Sequence, residues 1–365
     1  MSFHRVKDEH HNTLLNSWEY TMMPGDIESR LSTLGFQPLR LLKNSRGRMT
    51  LLALYQNKRV IVKLGWGSGT SQITNEAQVL SVLHDMPIVP RLHTRLDLDD
   101  VKLVAIEYIP YKSLNAVGRL NPLKAVTAVF YTLASLVHIH GRGFAHCDLK
   151  PGNVIPVPKR GMVFIDFGVA RPFDAAGFAA GTPGYTCPEA LGGETPGSGC
   201  DLYSLAGIYY YLVTGLSPPR DPKEFAKALS LAPAPSSLLE LFTQLVLDPE
   251  YRNSLDPLQL LKIVASFNPQ LLVPHIVIDG VYKPLGYGEV SIGSRGVIRV
   301  DGRPVYLAVK RHVRGTSMYA YTDLVVFRRG EKLIVRSGES IDLEFNDLVL
   351  FDNHILYVFI LPERP

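Results

Sequence analysis

Only three cysteines, Cys147, Cys187 and Cys200, occur in the chain, and none forms a Cys-x-x-Cys pair. So few, so widely spaced, rule out a disulfide scaffold and a cysteine-rich zinc site, and they suit a reducing compartment. Charge of one sign is lacking too: 38 Lys and Arg stand against 34 Asp and Glu, for a net charge of +4. A protein that reads nucleic-acid phosphates broadly is usually more lopsided, so that partner is disfavoured. The first residues, Met1 to His10, hold no apolar core; no secretory signal is read there, and the expected location is cytoplasmic. Long hydrophobic runs are missing as well. The greasiest stretch, Ala125–Ile139, is interrupted by Thr127, Tyr131, Thr132, Ser135 and His138, and reads as a buried helix too short and polar to span a membrane.

What is present is core material. Apolar residues make up 46% of the 365 residues and charged residues 20%, enough for more than one compact domain. Residues 1–25 are polar and unpatterned, an expected flexible arm. Strand patterns follow at Met49–Tyr55 and Val60–Leu64, around the turn Gln56–Arg59, and again at Leu103–Tyr108, with one helical pattern at Asn75–Leu83. Beyond them helical spacing dominates: Pro122 to about His140, Leu202–Thr214 ending at Gly215, Pro222–Ser230, Ser236–Val246 and Pro257–Ser266.

From about His275 short strands and frequent turns return, with expected hairpins about Asp301-Gly302, Arg328–Glu331 and Asp352–His354. The expectation is an all-β domain, a sandwich, over 275–365. The short connection Phe267–Gln270 would keep it close to the helical region.

One constellation carries chemistry. His146-Cys147-Asp148-Leu149-Lys150-Pro151-Gly152-Asn153 is followed by Ile165-Asp166-Phe167-Gly168, then by Gly181-Thr182-Pro183-Gly184-Tyr185-Thr186-Cys187-Pro188-Glu189. Upstream, Lys63 ends a strand pattern and Glu76 lies on the helix after it. Six specified positions at fixed spacing arise by chance on the order of once in 10⁵ chains. Asp148, Lys150, Asn153 and Asp166 together offer a base, an ammonium and hard oxygen ligands, the inventory that phosphoryl transfer demands.

Across about residues 26–266 the chain resembles the eukaryotic-type (Hanks-type) serine/threonine protein kinases. The resemblance implies an α+β bilobal fold, with a β-rich lobe over 26–108 and a helical lobe over 109–266, followed by the β domain. It implies ATP with Mg²⁺ or Mn²⁺, and protein substrates with Ser or Thr acceptors. Lys63 would hold the α/β-phosphates and pair with Glu76. Asp148 would orient the substrate hydroxyl, Lys150 would contact the γ-phosphate, and Asn153 and Asp166 would bind the metal. Glu107, Ile109, Ile61 and Ile155 would surround adenine, with Gly47 on the phosphate-covering loop. Thr182 would brace the catalytic loop, Asp201 would anchor it, His146 and Phe167 would pack structurally, and Glu189 would pair with Arg252.

The departures bear on mechanism. Anchored on Gly47, the phosphate-covering loop has Leu42 and Asn44 where glycines are usual, with Arg46 and Arg48 as side-chain charges in compensation, and Ile61 narrows the pocket where alanine is usual. A nucleotide-impaired pseudokinase or phosphopeptide-binding scaffold is therefore the alternative reading. A small-molecule kinase fits less well, because the segment ending in Pro188-Glu189 shapes a peptide platform in the family. Val169–Gly181 holds no Ser, Thr or Tyr, and Cys147 stands where many relatives carry arginine. Activation by phosphorylation inside that loop is not expected.

In the β domain, residues 295–336 are rich in Lys and Arg, and the residues after them are acidic. Two readings stay open there, solvated faces of opposite sign or a phosphate-binding face. Val290–Arg295 weakly resembles the opening of a forkhead-associated domain, which would put phosphothreonine peptides against Arg295.

Overall fold

The computed structural model describes residues 27–175, 179–195, 197–293, 296–298, 305–313, 315–352 and 354–360. The expected arm over 1–25, the Asp301-Gly302 turn and Arg295 lie outside these residues.

Helix α1 (Ile27–Thr33) leads into strands β1 (Phe36–Ser45), β2 (Arg48–Tyr55) and β3 (Lys58–Trp66). Helix α2 (Thr70–Val82) follows, then β4 (Leu92–Leu98) and β5 (Val101–Glu107). The five strands form one antiparallel sheet in the order β1-β2-β3-β5-β4. Alternation sets its two faces. Val60, Val62 and Leu64 are buried with Leu51, Leu103 and Ala105 on one side, which leaves Ile61 and Lys63 on the other. The β2–β3 turn uses Gln56 and Asn57, both at positive φ, so it is two residues long, and Lys58 and Arg59 belong to the next strand instead of the turn.

The helical region contains α3 (Pro122–Gly141), short strands β6 (Phe144–Ala145), β7 (Val154–Val157), β8 (Gly161–Phe164) and β9 (Arg171–Pro172), and helix α4 (Pro188–Leu191). Helices α5 (Gly199–Thr214), α6 (Pro222–Ser230), α7 (Ser236–Leu247), α8 (Pro249–Ser254), α9 (Pro257–Ala265) and α10 (Pro269–Leu272) complete it. One local device starts several of these helices. Asn121, Asp221, Asp248, Asp256 and Asn268 each accept a first-turn backbone N–H and are each followed by proline. The side-chain oxygen satisfies an orphan donor, and proline at the first position loses no intrahelical bond.

At 20 residues, α3 is longer than the stretch picked out by composition, and by length and apolarity it could cross a membrane. It is instead the central helix of the fold, with 72% of its apolar window buried inside the protein. The cysteines also depart from expectation. Cys187, just before α4, and Cys200, in the first turn of α5, are joined as a disulfide with Cα atoms 5.0 Å apart. Only the packing of α4 against α5 brings them together, which spacing in sequence does not reveal.

Strands β10 (His275–Ile278), β11 (Val281–Pro284), β12 (Gly288–Gly293), β13 (Gly296–Ile298), β14 (Val305–His312) and β15 (Gly315–Ala320) open the C-terminal segment. Strands β16 (Leu324–Arg328), β17 (Glu331–Val335), β18 (Ser340–Asp342), β19 (Asp347–Phe351) and β20 (His354–Phe359) close it. They form two antiparallel sheets, β11-β10-β20-β19-β16-β17 and β13-β12-β14-β15-β18. Ile292, Leu307, Val309 and Met318 from the second sheet share a core with Ile276, Val326, Val349 and Leu356 from the first. The β16–β17 hairpin turns at Arg329 and Gly330 as the sequence suggests. Among the described residues, β13 and β14 do not pair with each other as expected; each bonds to β12, which lies between them.

The six-stranded sheet has a second buried face. Phe327, Leu348, Ile355, Tyr357 and Phe359 join the core of the helical region, where Phe359 packs on Phe130 and Tyr131 of α3. Ser135 Oγ and Tyr357 OH lie 3.1 Å apart, and Asn346 Nδ2 donates to Ala134 O at 2.9 Å. At the end of α3 the absence of a side chain on Gly141 lets the β16–β17 tip approach closely, and Arg142 Nε donates to Gly330 O at 2.6 Å. Burial of each such aromatic contributes about 1.5–3 kcal/mol, so this contact is a core rather than a tether.

Candidate active site

The sheet and the helical region face each other across a cleft of about 380 Å³. Its apolar end is lined by Ile61, Ile106, Ile109, Ile155 and Ile165, together with Glu107 and Tyr108. Its polar end is lined by Lys63, Glu76, Lys150, Asn153 and Asp166. Residues from strands β3, β5 and β7, helix α2 and the loops between elements meet there, although they span about a hundred positions of sequence.

Lys63 sits on the cleft face of β3. Its Nζ donates to both carboxylate oxygens of Glu76, on α2, and to Asp166 Oδ1, all at 2.8 Å. Burial would lower the lysine, but Asp166 and Glu76 outweigh it and hold the ammonium above its usual range. Lys63 in turn holds the Asp166 carboxyl well below the usual carboxylate range, against burial. Burial pushes the Glu76 carboxyl up, with Lys63 opposing. The consequence is a charged Lys63 and an ionised Asp166 at neutral pH.

Asp166 has φ 71°, a conformation rare outside glycine, which turns the chain into the short Phe167–Val169 helix. That segment is tied to α2 by a residue the sequence reading passed over. Asn75 Nδ2 lies within 3.2 Å of Phe167 O, 3.1 Å of Gly168 O and 2.7 Å of Ala170 O. Phe167 is fully buried beside the His146 ring, 4.8 Å between centroids, and His146 Nε2 donates to Ile165 O at 3.1 Å.

Asp148 is bonded on both oxygens: Lys150 Nζ donates to Oδ2 and Thr182 Oγ1 to Oδ1, each at 2.6 Å. Lys150 Nζ also reaches Thr182 Oγ1 at 2.7 Å. Asn153 Nδ2 donates to Asp148 O at 2.8 Å. The loop carrying these groups is held from below by Asp201, fully buried at the start of α5. The backbone N–H groups of His146 and Cys147 donate to its two oxygens at 2.8 and 3.0 Å, and His140 Nε2 donates at 2.9 Å. Burial pushes the Asp201 carboxyl up, but these bonds outweigh it and leave it below its usual range. They also hold Cys147 at φ 62°. The Cys147 thiol is packed among Ala145, Val169, Phe173 and Ala180, and burial pushes its pKa up to about 12.

Further out, Arg252 pairs with Glu189 and stacks on the Tyr203 ring at 5.6 Å. Gly47 and Arg46 do not line the cleft. Lys43 and Gln72, which sequence reasoning did not single out, do line it, as does Arg48. Their side chains count only because the β1–β2 hairpin folds toward α2, a tertiary fact without a local signal. At the apolar end, Glu107 is gripped by Arg160 from the β7–β8 turn, whose Nη1 donates to Oε1 at 2.7 Å.

No cluster of three or more His, Cys, Asp or Glu suited to a metal occurs among the described residues. Asp166 and the amide oxygen of Asn153 supply two hard oxygen donors. That set fits Mg²⁺, which commonly takes one or two protein oxygens with the rest from phosphates and water.

The family described as protein kinase domain matches residues 54–264. The serine/threonine-protein kinase pkn3 of Myxococcus xanthus is 34% identical over 137 residues, 33% of this chain and 25% of that protein. The serine/threonine-protein kinase PknD of Mycobacterium tuberculosis is 32% identical over 181 residues, 46% of this chain and 27% of that protein. The chain thus spans about a quarter of the length of these relatives. Among solved structures, the Cydia pomonella granulovirus kinase PK-1 aligns with a TM-score of 0.49 at 21% identity, covering 60% of this chain and 91% of that one.

Proposed function

Because the chain belongs to the protein kinase domain family, we propose that it transfers the γ-phosphoryl group of ATP to Ser or Thr hydroxyls of protein substrates. The observation that carries this reading is Asp148, bonded at 2.6 Å by both Lys150 and Thr182, in a cavity it shares with Asp166, which Lys63 joins to Glu76.

In this reading Asp148 receives the substrate hydroxyl and orients its proton, because a carboxylate beside an ammonium at 2.6 Å is a hydrogen-bond acceptor. Lys150 sits beside it to steady negative charge on the transferred group. Lys63, fixed by Glu76, presents its charge to the inner phosphates. Asn153 and Asp166 would hold Mg²⁺, which when bound neutralises triphosphate charge. Ile61, Ile106 and Ile155 give adenine an apolar slot. A kinase segment over 26–266 and a β domain over 275–365 are the units we assign. The two-sheet architecture of the latter is compatible with a forkhead-associated type, with phosphothreonine peptides as its candidate ligand.

The test is incubation of the full chain with labelled ATP·Mg²⁺ and a generic basic protein. Label transfer that disappears in Asp148→Asn and in Asp166→Ala, with folding intact, supports the assignment. Activity within a few-fold of wild type in either variant refutes it. The second reading, a scaffold with weak nucleotide binding, draws on Leu42 and Asn44 in the loop. It would be favoured by a phosphothreonine peptide that binds the full chain and is lost in Arg295→Ala, in the absence of any transfer.

A further inference from the structure

The β1–β2 hairpin is not shaped to lay its backbone over a phosphate tail. Ser45 pairs with Arg48, so the tip is a two-residue turn, Arg46-Gly47. That tip is pressed onto the approach to α2: Trp66 N–H donates to Gly47 O at 2.9 Å. A side chain on Gly47 would meet Trp66 O at 3.0 Å and Gly69 N at 3.4 Å, and one on Gly65 would meet Gly69 O at 2.6 Å. Three glycines therefore serve close packing of backbone on backbone here, not access to a ligand. Arg48 Nη1 donates to Gln72 Oε1 on α2 and fastens the hairpin a second time.

The same fastening points two cations at the polar end of the cleft. Lys43 and Arg48 line a cavity of about 320 Å³ with Asp148, Lys150, Asp166 and Thr182. The other charges in this cavity and the adjoining cleft are already committed: Lys63 to Glu76 and Asp166, and Lys150 to Asp148. Those two ammoniums face three carboxylates, so the side chains alone leave an excess of negative charge that a bound Mg²⁺ would offset only in part against a polyphosphate. Lys43 has no carboxylate partner among the described residues, and the Arg48 bond runs to a neutral amide. These two side chains turn the balance positive.

We propose that Lys43 and Arg48 bind the phosphate tail of the nucleotide directly, with side-chain charge replacing the main-chain amides of a glycine-rich loop. The inference rests on the phosphotransfer reading for the identity of the ligand. It makes recognition depend on the charge of the tail more than on the base, and it makes affinity sensitive to salt.

The experiment measures binding of ATP, ADP and adenosine to the full chain and to Lys43→Met, Lys43→Arg and Arg48→Gln. Loss of one charged contact at a part-exposed site should weaken ATP about tenfold in Lys43→Met and Arg48→Gln. Adenosine should change less than about twofold, since it reaches neither cation, and Lys43→Arg should restore ATP binding. Raising the salt concentration should weaken ATP more in wild type than in Lys43→Met. Equal weakening of ATP and adenosine would assign the two residues to hairpin folding alone and overturn the proposal, as would unchanged ATP affinity. A wild-type protein that binds no ATP overturns it too. One that binds ATP with this charge dependence yet transfers no phosphate sinks the phosphotransfer reading and leaves the inference standing.

Discussion

Removing the Arg160 side chain should loosen the nucleotide cleft from outside it. Arg160 caps the β7–β8 turn and holds three acceptors: Pro87 O at 2.5 Å, Val89 O at 2.6 Å and Glu107 Oε1 at 2.7 Å. The first two belong to the segment between α2 and β4, the third to the cleft lining. The Arg160 side chain is 17% exposed and that of Glu107 27%, so the ion pair contributes about 1 kcal/mol and each bond to a carbonyl about 1.5 kcal/mol. Water can re-satisfy part of what is exposed, which brings the expected cost of Arg160→Ala to about 3 kcal/mol. The carbonyl of Arg160 accepts from Tyr357 OH at 3.3 Å, a bond from β20 to the same turn. Tyr357→Phe should therefore couple to Arg160→Ala by about 0.5 kcal/mol or more in a double-mutant cycle. Urea unfolding of the full chain gives both numbers, and ATP titration should show a few-fold loss in Arg160→Ala. A stability change under about 1 kcal/mol, or energies of the two variants that simply add, would refute the reasoning.

Asp201→Ala leaves two buried backbone N–H groups without acceptors and Cys147 without the bonds that hold its positive φ. The expected loss is about 3–5 kcal/mol, read from urea midpoints, together with loss of activity. Lys63→Met strands Glu76 without its cation; phosphate transfer should fall about a hundredfold or more in a labelled-ATP assay while the fold persists. His138 and His275 are buried at the junction of α3 and the β strands, where burial lowers each imidazole to about 4. The unfolded chain protonates them near their ordinary 6.5, so it binds more protons between those values and stability falls as pH drops from about 7 to 4. Each contributes roughly 2–3 kcal/mol to that slope, and His138→Leu should flatten it in urea titrations at pH 7, 5.5 and 4.5.

The polar cluster was legible because its chemistry needs set residue types at set spacings. Lys63, Glu76, Asn153 and Asp166 line one cleft, and Asp148 lines the cavity that adjoins it; the family resemblance implied that grouping. Asn75, next to Glu76, ties α2 to the carbonyls of Phe167, Gly168 and Ala170, yet an asparagine on a helix carries no local mark of it. Alternation located β2, β3 and β16 well. It failed at β13 and β14, because a good turn dipeptide says nothing about a third strand entering between its flanks. In β19 and β20 the apolar residues run nearly without interruption, the pattern of strands buried on both faces. The expectation drawn from the short Phe267–Gln270 connection is only proximity; the cover that such strands need on their outer face is α3.

A helix whose core is completed from two sides is a shared inheritance. Phe130, Tyr131, Ser135 and His138 would lose their neighbours if the last strands were deleted, and the six-stranded sheet would lose its lid if the helical region were cut away. A gene encoding either half alone would make a protein with a raw apolar face, prone to association. The two halves are therefore bound to drift, duplicate and be transferred as one unit. A substitution on α3 that suits one side is selected under the veto of the other.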